Sequence, residues 1–286
     1  MKFSPERISL LFPPLFLCAR IARHRCSRLL AAAILTQCAS AAHAAERIER
    51  CPKPVVAALA QRAGIAPAKG EAPLVTQVCK VWPHDPNVLL AALAYGKRDD
   101  DRRTLVVAMV DAGTRRVISD YVVALRENTG MRVLPYSLDI DTARYQLAPD
   151  LRAFGVRFAR WSDAECPDRL ASDELTLFVP DGAALRPVLP RLAMSRLLAK
   201  SGCFGGGSPQ PLVADDAKLT VAIAPGTSHG LADLVVTARV QQVATQEQPG
   251  GPVRQERVTL RYDGSAYGVG QGQAPWWLVL SSWDGR

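Results

Sequence analysis

The feature that most constrains the fold of this chain is a series of nine short stretches rich in apolar, β-branched and aromatic residues. Clusters of Pro, Gly, Asp and Asn separate the stretches, as turns separate strands. Most of the gaps are too short for the crossover that parallel strands require, so the pattern favours antiparallel pairing. The stretches lie at 74–82, 88–95, 105–110, 116–125, 153–161, 174–179, 219–224, 234–240 and 258–262.

One helical stretch precedes these strands, at 54–63. It has Pro54 near its N-terminus, where proline is tolerated, and its apolar residues share one face. We therefore predict an all-β fold of antiparallel hairpins and meanders with one short N-terminal helix.

Three predicted hairpins share one pattern: an apolar strand, a reversal of the Asp-Gly or Asp-Ala-Gly type, and a second strand. The reversals begin at Asp111, Asp181 and Asp263. Glycine accepts the positive φ of such turns, and aspartate can accept hydrogen bonds from the turn backbone. The hairpins indicate three β modules, or the same turn signal used three times without a true repeat. The modules would cover 70–126, 133–200 and 212–270, and both a propeller-like ring of small sheets and a two-sheet sandwich fit them.

Residues 1–44 have the order of a cleavable signal peptide. Four arginines between positions 20 and 28 precede an apolar run at 29–35, and Ala42-His43-Ala44 places small residues where a signal peptidase cleaves. The run is shorter than the roughly 20 apolar residues of a spanning helix, which favours a cleaved signal over a membrane anchor. We expect an exported chain, periplasmic or secreted, with a single β-rich domain at 45–286 and no stable membrane span after cleavage.

Removal of residues 1–44 changes the charge balance. The full chain has 35 Lys and Arg against 27 Asp and Glu, and the removed segment holds six basic residues and one acidic residue. The remainder has 29 basic and 26 acidic residues, a net charge of +3. A balance this close to neutral gives no support to nucleic-acid binding.

Four cysteines remain after the predicted cleavage, and an even number in an oxidising compartment favours two disulfides. Four cysteines allow three connectivities. We prefer Cys51–Cys79 and Cys166–Cys203, because cysteines that are neighbours in sequence close the shorter loops. Metal ligation is disfavoured, since the chain has no Cys-x-x-Cys pair and only two histidines remain, so we expect neither a metal nor a cofactor.

No assembled catalytic set is visible in the sequence. Ser228, His229 and Asp233 are the residue types of a serine hydrolase, but adjacent side chains on an extended segment point to opposite faces. His229 therefore stays a candidate for ligand contact. Asp139 and Asp141 would share one face of a strand, where two carboxylates can act as acid and base if one pKa is raised.

Two tryptophans near the C-terminus are also candidates for ligand contact. Trp276 and Trp277 are adjacent, so on a strand they would face both ways, one towards the core and one towards a ligand. Packing at the edge of the core is the alternative for both residues.

The stretch from Leu231 to Thr237, with Asp233-Leu-Val-Val at its centre, resembles the strand of FG-GAP-type propeller repeats. The calcium-binding Asp-x-Asp-x-Asp-Gly loop that precedes this strand in such repeats is absent here, so the resemblance implies no metal. The layout from Cys79-Lys-Val-Trp82 to Tyr262-Asp-Gly264 resembles uncharacterised exported, β-rich proteins of Gram-negative bacteria. That resemblance implies a periplasmic location and a β fold.

Two functions follow as hypotheses. The first is a non-catalytic periplasmic domain that binds a protein or a cell-envelope glycan. The alternative is an envelope hydrolase that uses the carboxylates of Asp139 and Asp141 on the β scaffold.

Overall fold

The computed structural model describes residues 50–65, 74–97, 100–128, 131–162, 164–243, 250–270 and 273–281, and the predicted signal peptide lies outside these ranges. Within them the chain forms one helix and thirteen strands. In order, these are α1 (Lys53–Arg62), β1 (Leu74–Trp82), β2 (Asp85–Tyr95), β3 (Arg102–Asp111), β4 (Val117–Arg126), β5 (Leu138–Ala148), β6 (Leu151–Ala159), β7 (Arg169–Asp181), β8 (Ala184–Ser201), β9 (Val213–Ser228), β10 (Leu231–Val243), β11 (Arg254–Tyr262), β12 (Tyr267–Val269) and β13 (Leu280–Ser281).

Hydrogen bonds connect all 13 strands into one sheet, and every pairing except that of β4 with β8 is antiparallel. The all-β prediction with a single short N-terminal helix is confirmed. A propeller consists of separate blade sheets and a sandwich of two packed sheets. The described strands form one continuous, mostly antiparallel sheet.

The strand β8 is the branch point of the sheet. Over its 18 residues it pairs with β7 along most of its length, and its C-terminal part also pairs with β9. The runs β1–β4, β5–β8 and β9–β12 lie largely within 70–126, 133–200 and 212–270. Residues from all three runs therefore meet along β8.

Three apolar clusters hold the layers together. The first lies between α1 and one face of β1–β3. The second lies between the opposite face of β1–β4 and one face of β5–β7. The third lies between the other face of β5–β8 and the strands β9–β12. Alternate residues of β3 belong to different clusters, because both faces of this strand are buried.

Both preferred disulfides are present. Cys51–Cys79 joins the segment before α1 to β1, and Cys166–Cys203 joins the segment before β7 to the glycine-rich segment after β8. The three hairpins built on aspartate are present as well. Oδ1 of Asp263 accepts the backbone N–H groups of Ser265 and Ala266, and Oδ1 of Asp111 accepts those of Gly113 and Thr114. In the third hairpin Gly182 has a φ of +62°.

Candidate anion-binding site

A small cavity opens where β6 ends, β7 begins and β8 passes beside them. It has a volume of about 190 Å³ and is lined by Arg160, Ser162, Arg169, Leu170, Ala171 and Arg196. We call this cavity the arginine pocket. The register of β7 against β8 brings these residues to one place, because Arg169 lies opposite Leu198 and Ala171 lies opposite Arg196. The backbone N–H of Arg160 donates to the Ser172 carbonyl at 2.9 Å, which holds the end of β6 beside β7.

Arg196 is the central residue of the arginine pocket. Its neighbours on the adjacent strands are alanines, Ala171 on β7 and Ala217 on β9, whose short side chains leave space beside the guanidinium. The residue is only 9% exposed, and its buried Nε–H has no hydrogen-bond partner. Among the described residues the Arg196 side chain forms no hydrogen bond and no ion pair within 4 Å. A buried charge without a partner is unusual, because desolvation is costly unless a counter-charge offsets it.

The carboxylate that attracts Arg196 is already bound by other arginines. Glu174 is 1% exposed, and its two oxygens accept hydrogen bonds from Nη1 of Arg160 at 2.8 Å and from Nε of Arg191 at 2.6 Å. Both oxygens of Glu174 are thus engaged by other guanidiniums, and Arg196 has no direct counter-ion among the described residues.

The electrostatic surroundings of Arg196 are unfavourable for a cation. Burial lowers the pKa of Arg196, the charges of Arg169 and Arg160 lower this pKa further, and Glu174 opposes the effect. An arginine nevertheless stays protonated in proteins, so Arg196 remains a buried cation. An anion in the cavity is the partner that this arrangement lacks.

A disulfide fixes the segment that carries two of the pocket residues. Cys166 lies between Ser162 and Arg169 and is bonded to Cys203. Gly205 has a φ of +90°, and a Cβ at this position would lie 2.7 Å from the Glu165 carbonyl oxygen, so glycine is required for the close approach of the two segments. The Phe204 N–H also donates to the Pro167 carbonyl at 3.1 Å.

The candidates Trp276 and Trp277 pack into the protein core. Trp277 has no exposed surface, and its Nε1–H donates to Oε2 of Glu256 at 2.6 Å. Trp276 is half-buried and packs against the same apolar cluster. Trp277 therefore presents no surface to a ligand, and edge-of-core packing describes both residues.

His229 shapes a turn. His229 and Gly230 form the two-residue connection between β9 and β10, with φ values of +48° and +83°. Positive φ at both positions is typical of a type I′ hairpin turn. The Nδ1–H of His229 donates to the Tyr262 carbonyl at 2.8 Å, which ties the turn to β11.

Asp139 and Asp141 lie on β5, opposite Arg157 and Gly155 of β6. Oδ2 of Asp141 accepts from Nε and Nη2 of Arg157, both at 3.0 Å, and from the Tyr145 hydroxyl at 3.2 Å. Asp139 is exposed, and its Oδ1 accepts the N–H of Ile140. Arg157 therefore pairs with Asp141, whereas Asp139 lies opposite Arg157 only in the strand register. No hydrogen bond or ion pair within the described ranges links them to His229 or to the tryptophans.

A third carboxylate joins this group. Asp173 of β7 accepts from Nη1 of Arg157 at 2.7 Å. Burial raises the pKa of Asp173, while Arg157 opposes this effect. Arg157 thus bridges Asp141 and Asp173.

The arginine pocket was not predicted from the sequence, although a signal for it is present. Arg191 and Arg196 interrupt an otherwise apolar run, Leu-Pro-Arg-Leu-Ala-Met-Ser-Arg-Leu-Leu, at 189–198. Charged residues inside such a run indicate buried cations, which need partners. The partners come from β7 and from the segment after β6, and sequence spacing does not place them there.

Two further properties concern the described part of the chain as a whole. It contains no helix with the length and hydropathy that a membrane span requires. It also contains no group of three or more His, Cys, Asp or Glu side chains placed to hold a metal ion. Comparisons of the chain with protein-family models, with curated proteins and with solved structures find no match.

Proposed function

We propose that the chain is exported and acts as a non-catalytic binding domain whose ligand presents an anionic group to the arginine pocket. The ligand is an anionic component of the cell envelope, a glycan or a protein. The observation that carries this proposal is Arg196, a buried guanidinium without a partner that lines a cavity with two further arginines. Arginine suits this role because its planar donors match the oxygens of carboxylates and phosphates.

Export is supported by the two disulfides, which persist in oxidising compartments, and by the signal-like order of residues 1–44. Expression of the full chain in a Gram-negative host followed by fractionation tests this part. We expect the protein in the periplasm or medium, with an N-terminus near residue 45. Recovery of the uncleaved chain from the cytoplasm would contradict it.

Binding is tested by cosedimentation of the purified protein with envelope glycan fragments and by capture of acidic proteins from periplasmic extract. Three proteins are compared: the wild type, Arg196→Gln and Arg116→Gln. Arg116 is exposed and lines a separate cavity with Arg62 and Arg115, so its variant loses the same charge elsewhere. We expect Arg196→Gln to lose binding at least tenfold and Arg116→Gln to retain it. Equal binding by all three proteins, or by none, would overturn the proposal.

The hydrolase alternative has one observation in its favour, the raised pKa of Asp173 beside Asp141. Acid and base catalysis requires two carboxylates whose pKa values differ. However, Arg157 forms an ion pair with Asp141 and another with Asp173, which is the arrangement of a structural ion-pair network. Turnover of envelope glycans by the wild type that is lost in Asp141→Asn and kept in Arg196→Gln would establish the alternative.

A further inference from the structure

The geometry points to a dianionic phosphoryl group as the ligand chemistry of the arginine pocket. We infer that the pocket binds the terminal phosphoryl of a phosphomonoester, or free phosphate, in preference to a carboxylate. This inference rests on the proposed function, because it names the anion that the pocket binds.

The charge of the pocket favours a dianion. Arg160, Arg169 and Arg196 line the pocket, and the buried guanidinium of Arg196 forms no ion pair among the described residues. A phosphomonoester carries a charge of roughly −1.5 to −2 at neutral pH, whereas a simple carboxylate carries −1.

The number and direction of the donors also favour a phosphoryl group. Each guanidinium offers up to five N–H donors in a plane. The arginines reach the cavity from three different segments of the chain. Donors that converge from several directions match the three terminal oxygens of a tetrahedral phosphoryl. A planar carboxylate has two oxygens and is saturated by one or two guanidiniums.

The size of the cavity fits a phosphoryl group. The cavity of about 190 Å³ corresponds to roughly six water molecules at 30 Å³ each. It holds a phosphoryl group and a few neighbouring atoms. It is smaller than the pockets of about 300–1,000 Å³ that enclose whole drug-sized ligands. Leu170 and Ala171 supply an apolar wall against which the first carbon of an ester would lie.

The free-energy cost of leaving Arg196 unpartnered in the empty pocket also favours a bound dianion. The Nε–H of Arg196 is buried and without a partner, so a ligand that accepts from this guanidinium removes an existing penalty and adds an attraction. A dianion attracts the converging guanidiniums more strongly than a monoanion does.

The test uses the purified mature protein in a buffer without phosphate or sulfate. Isothermal titration is carried out with inorganic phosphate, methyl phosphate, sulfate, acetate and succinate. We expect both phosphates and sulfate to bind at least tenfold more tightly than acetate or succinate. Arg196→Gln should weaken phosphate binding at least tenfold, and Arg116→Gln should change it less than twofold. Equal affinities of phosphate and methyl phosphate indicate an esterified phosphoryl, and binding of phosphate alone indicates the free ion.

A pH series separates the dianion from the monoanion. The second ionisation of a phosphomonoester has a pKa of about 6, so its dianionic fraction falls about tenfold between pH 7.5 and pH 5.0. We expect the Kd of methyl phosphate to rise about tenfold over this range. Sulfate remains a dianion and controls for titration of the protein, so its Kd should change less than twofold.

The outcomes separate the phosphoryl inference from the anion-binding proposal. If succinate or acetate binds as tightly as methyl phosphate in an Arg196-dependent way, the phosphoryl inference fails and the anion-binding proposal stands. If none of the five anions binds, both fail.

Discussion

The replacement of Arg196 by methionine should make the unliganded protein more stable. Methionine keeps most of the aliphatic length of arginine and removes the charge, so the packing beside Ala171 and Ala217 is largely retained. What is lost is a guanidinium that is 9% exposed and whose Nε–H has no partner. Core substitutions usually destabilise proteins, so an increase would be diagnostic.

The magnitude follows from the surroundings of the guanidinium. A buried donor without a partner costs about 1–3 kcal/mol. The attraction of Arg196 to Glu174 is opposed by repulsion from Arg160 and Arg169, so the loss of these longer-range terms changes little. We therefore expect Arg196→Met to raise the free energy of unfolding by about 1–3 kcal/mol. For a domain of this size, each kcal/mol raises Tm by about 2–4 °C.

The assay is urea unfolding followed by far-UV circular dichroism, in a buffer without phosphate or sulfate. Arg169→Met is the matched control, because Arg169 lines the same pocket with its side chain 65% exposed. Its unfolding free energy should change by less than about 0.5 kcal/mol. Addition of methyl phosphate at 100 times its Kd should stabilise the wild type by about 2.7 kcal/mol and leave Arg196→Met unchanged. If Arg196→Met instead loses more than 1 kcal/mol, the guanidinium is a structural partner and the reasoning is refuted.

Three further predictions concern groups near and away from the arginine pocket. Glu174→Gln removes the buried carboxylate that pairs with Arg160 and Arg191 and should lower the free energy of urea unfolding by about 3–5 kcal/mol. Asp168→Asn, at an exposed ion pair, should lower it by about 0–1 kcal/mol. Similar losses in the two variants would contradict the role of Glu174 as a buried counter-charge. Serine replacement of either disulfide pair should cost about 3–4 kcal/mol, since the bridges span 28 and 37 residues, but only loss of Cys166–Cys203 should also weaken anion binding in calorimetry. Backbone N–H groups of Ala266 and Ser265 lower the pKa of Asp263 to about 2. The contribution of the Asp263 carboxylate to the stability of the fold is therefore complete above pH 4 and is lost as the pH falls towards 2. An NMR titration of this carboxyl with a midpoint near 4 would contradict the prediction.

The sequence predicts the strands whose apolar residues are continuous or regularly alternating. β1 is predicted to the residue, and α1 is displaced by one residue at each end. β5 lies outside the nine predicted stretches, because Asp139 and Asp141 interrupt its apolar pattern, although strand alternation places both aspartates on one face. These aspartates are tolerated in the strand because Arg157 on the neighbouring strand pairs with one of them.

β8 shows a different reason for failure. Only the second strand of the Asp181 hairpin predicts any part of β8, because Pro187 and Pro190 are unusual in strands and the residues after them have high helix propensity. On the side of β8 that faces away from β7, β4 pairs at Ala184, β13 pairs at Arg191 and Leu192, and β9 pairs only from Ser195 onwards. Neither Pro187 nor Pro190 is among the paired residues on this side, so the prolines cost few ladder hydrogen bonds. Packing against four neighbouring strands overrides the local propensity.

The candidate site depends on β8 and was missed with it. The candidates predicted from the sequence are residue types with catalytic or stacking chemistry, namely His229, the aspartate pair and the tryptophans. The arginines of the pocket come from three segments, and their convergence is a product of strand register. No spacing along the chain encodes that register.

Because alanines lie on either side of Arg196, the charge and the volume of the arginine pocket depend on different residues. The charge of the arginine pocket resides in its guanidiniums, whereas its capacity depends on the small side chain of Ala171. Valine or leucine at position 171 would narrow the cavity without altering a single charge. The selectivity of such a pocket for bulky or compact anions can therefore be tuned by one aliphatic residue, independently of its affinity for charge.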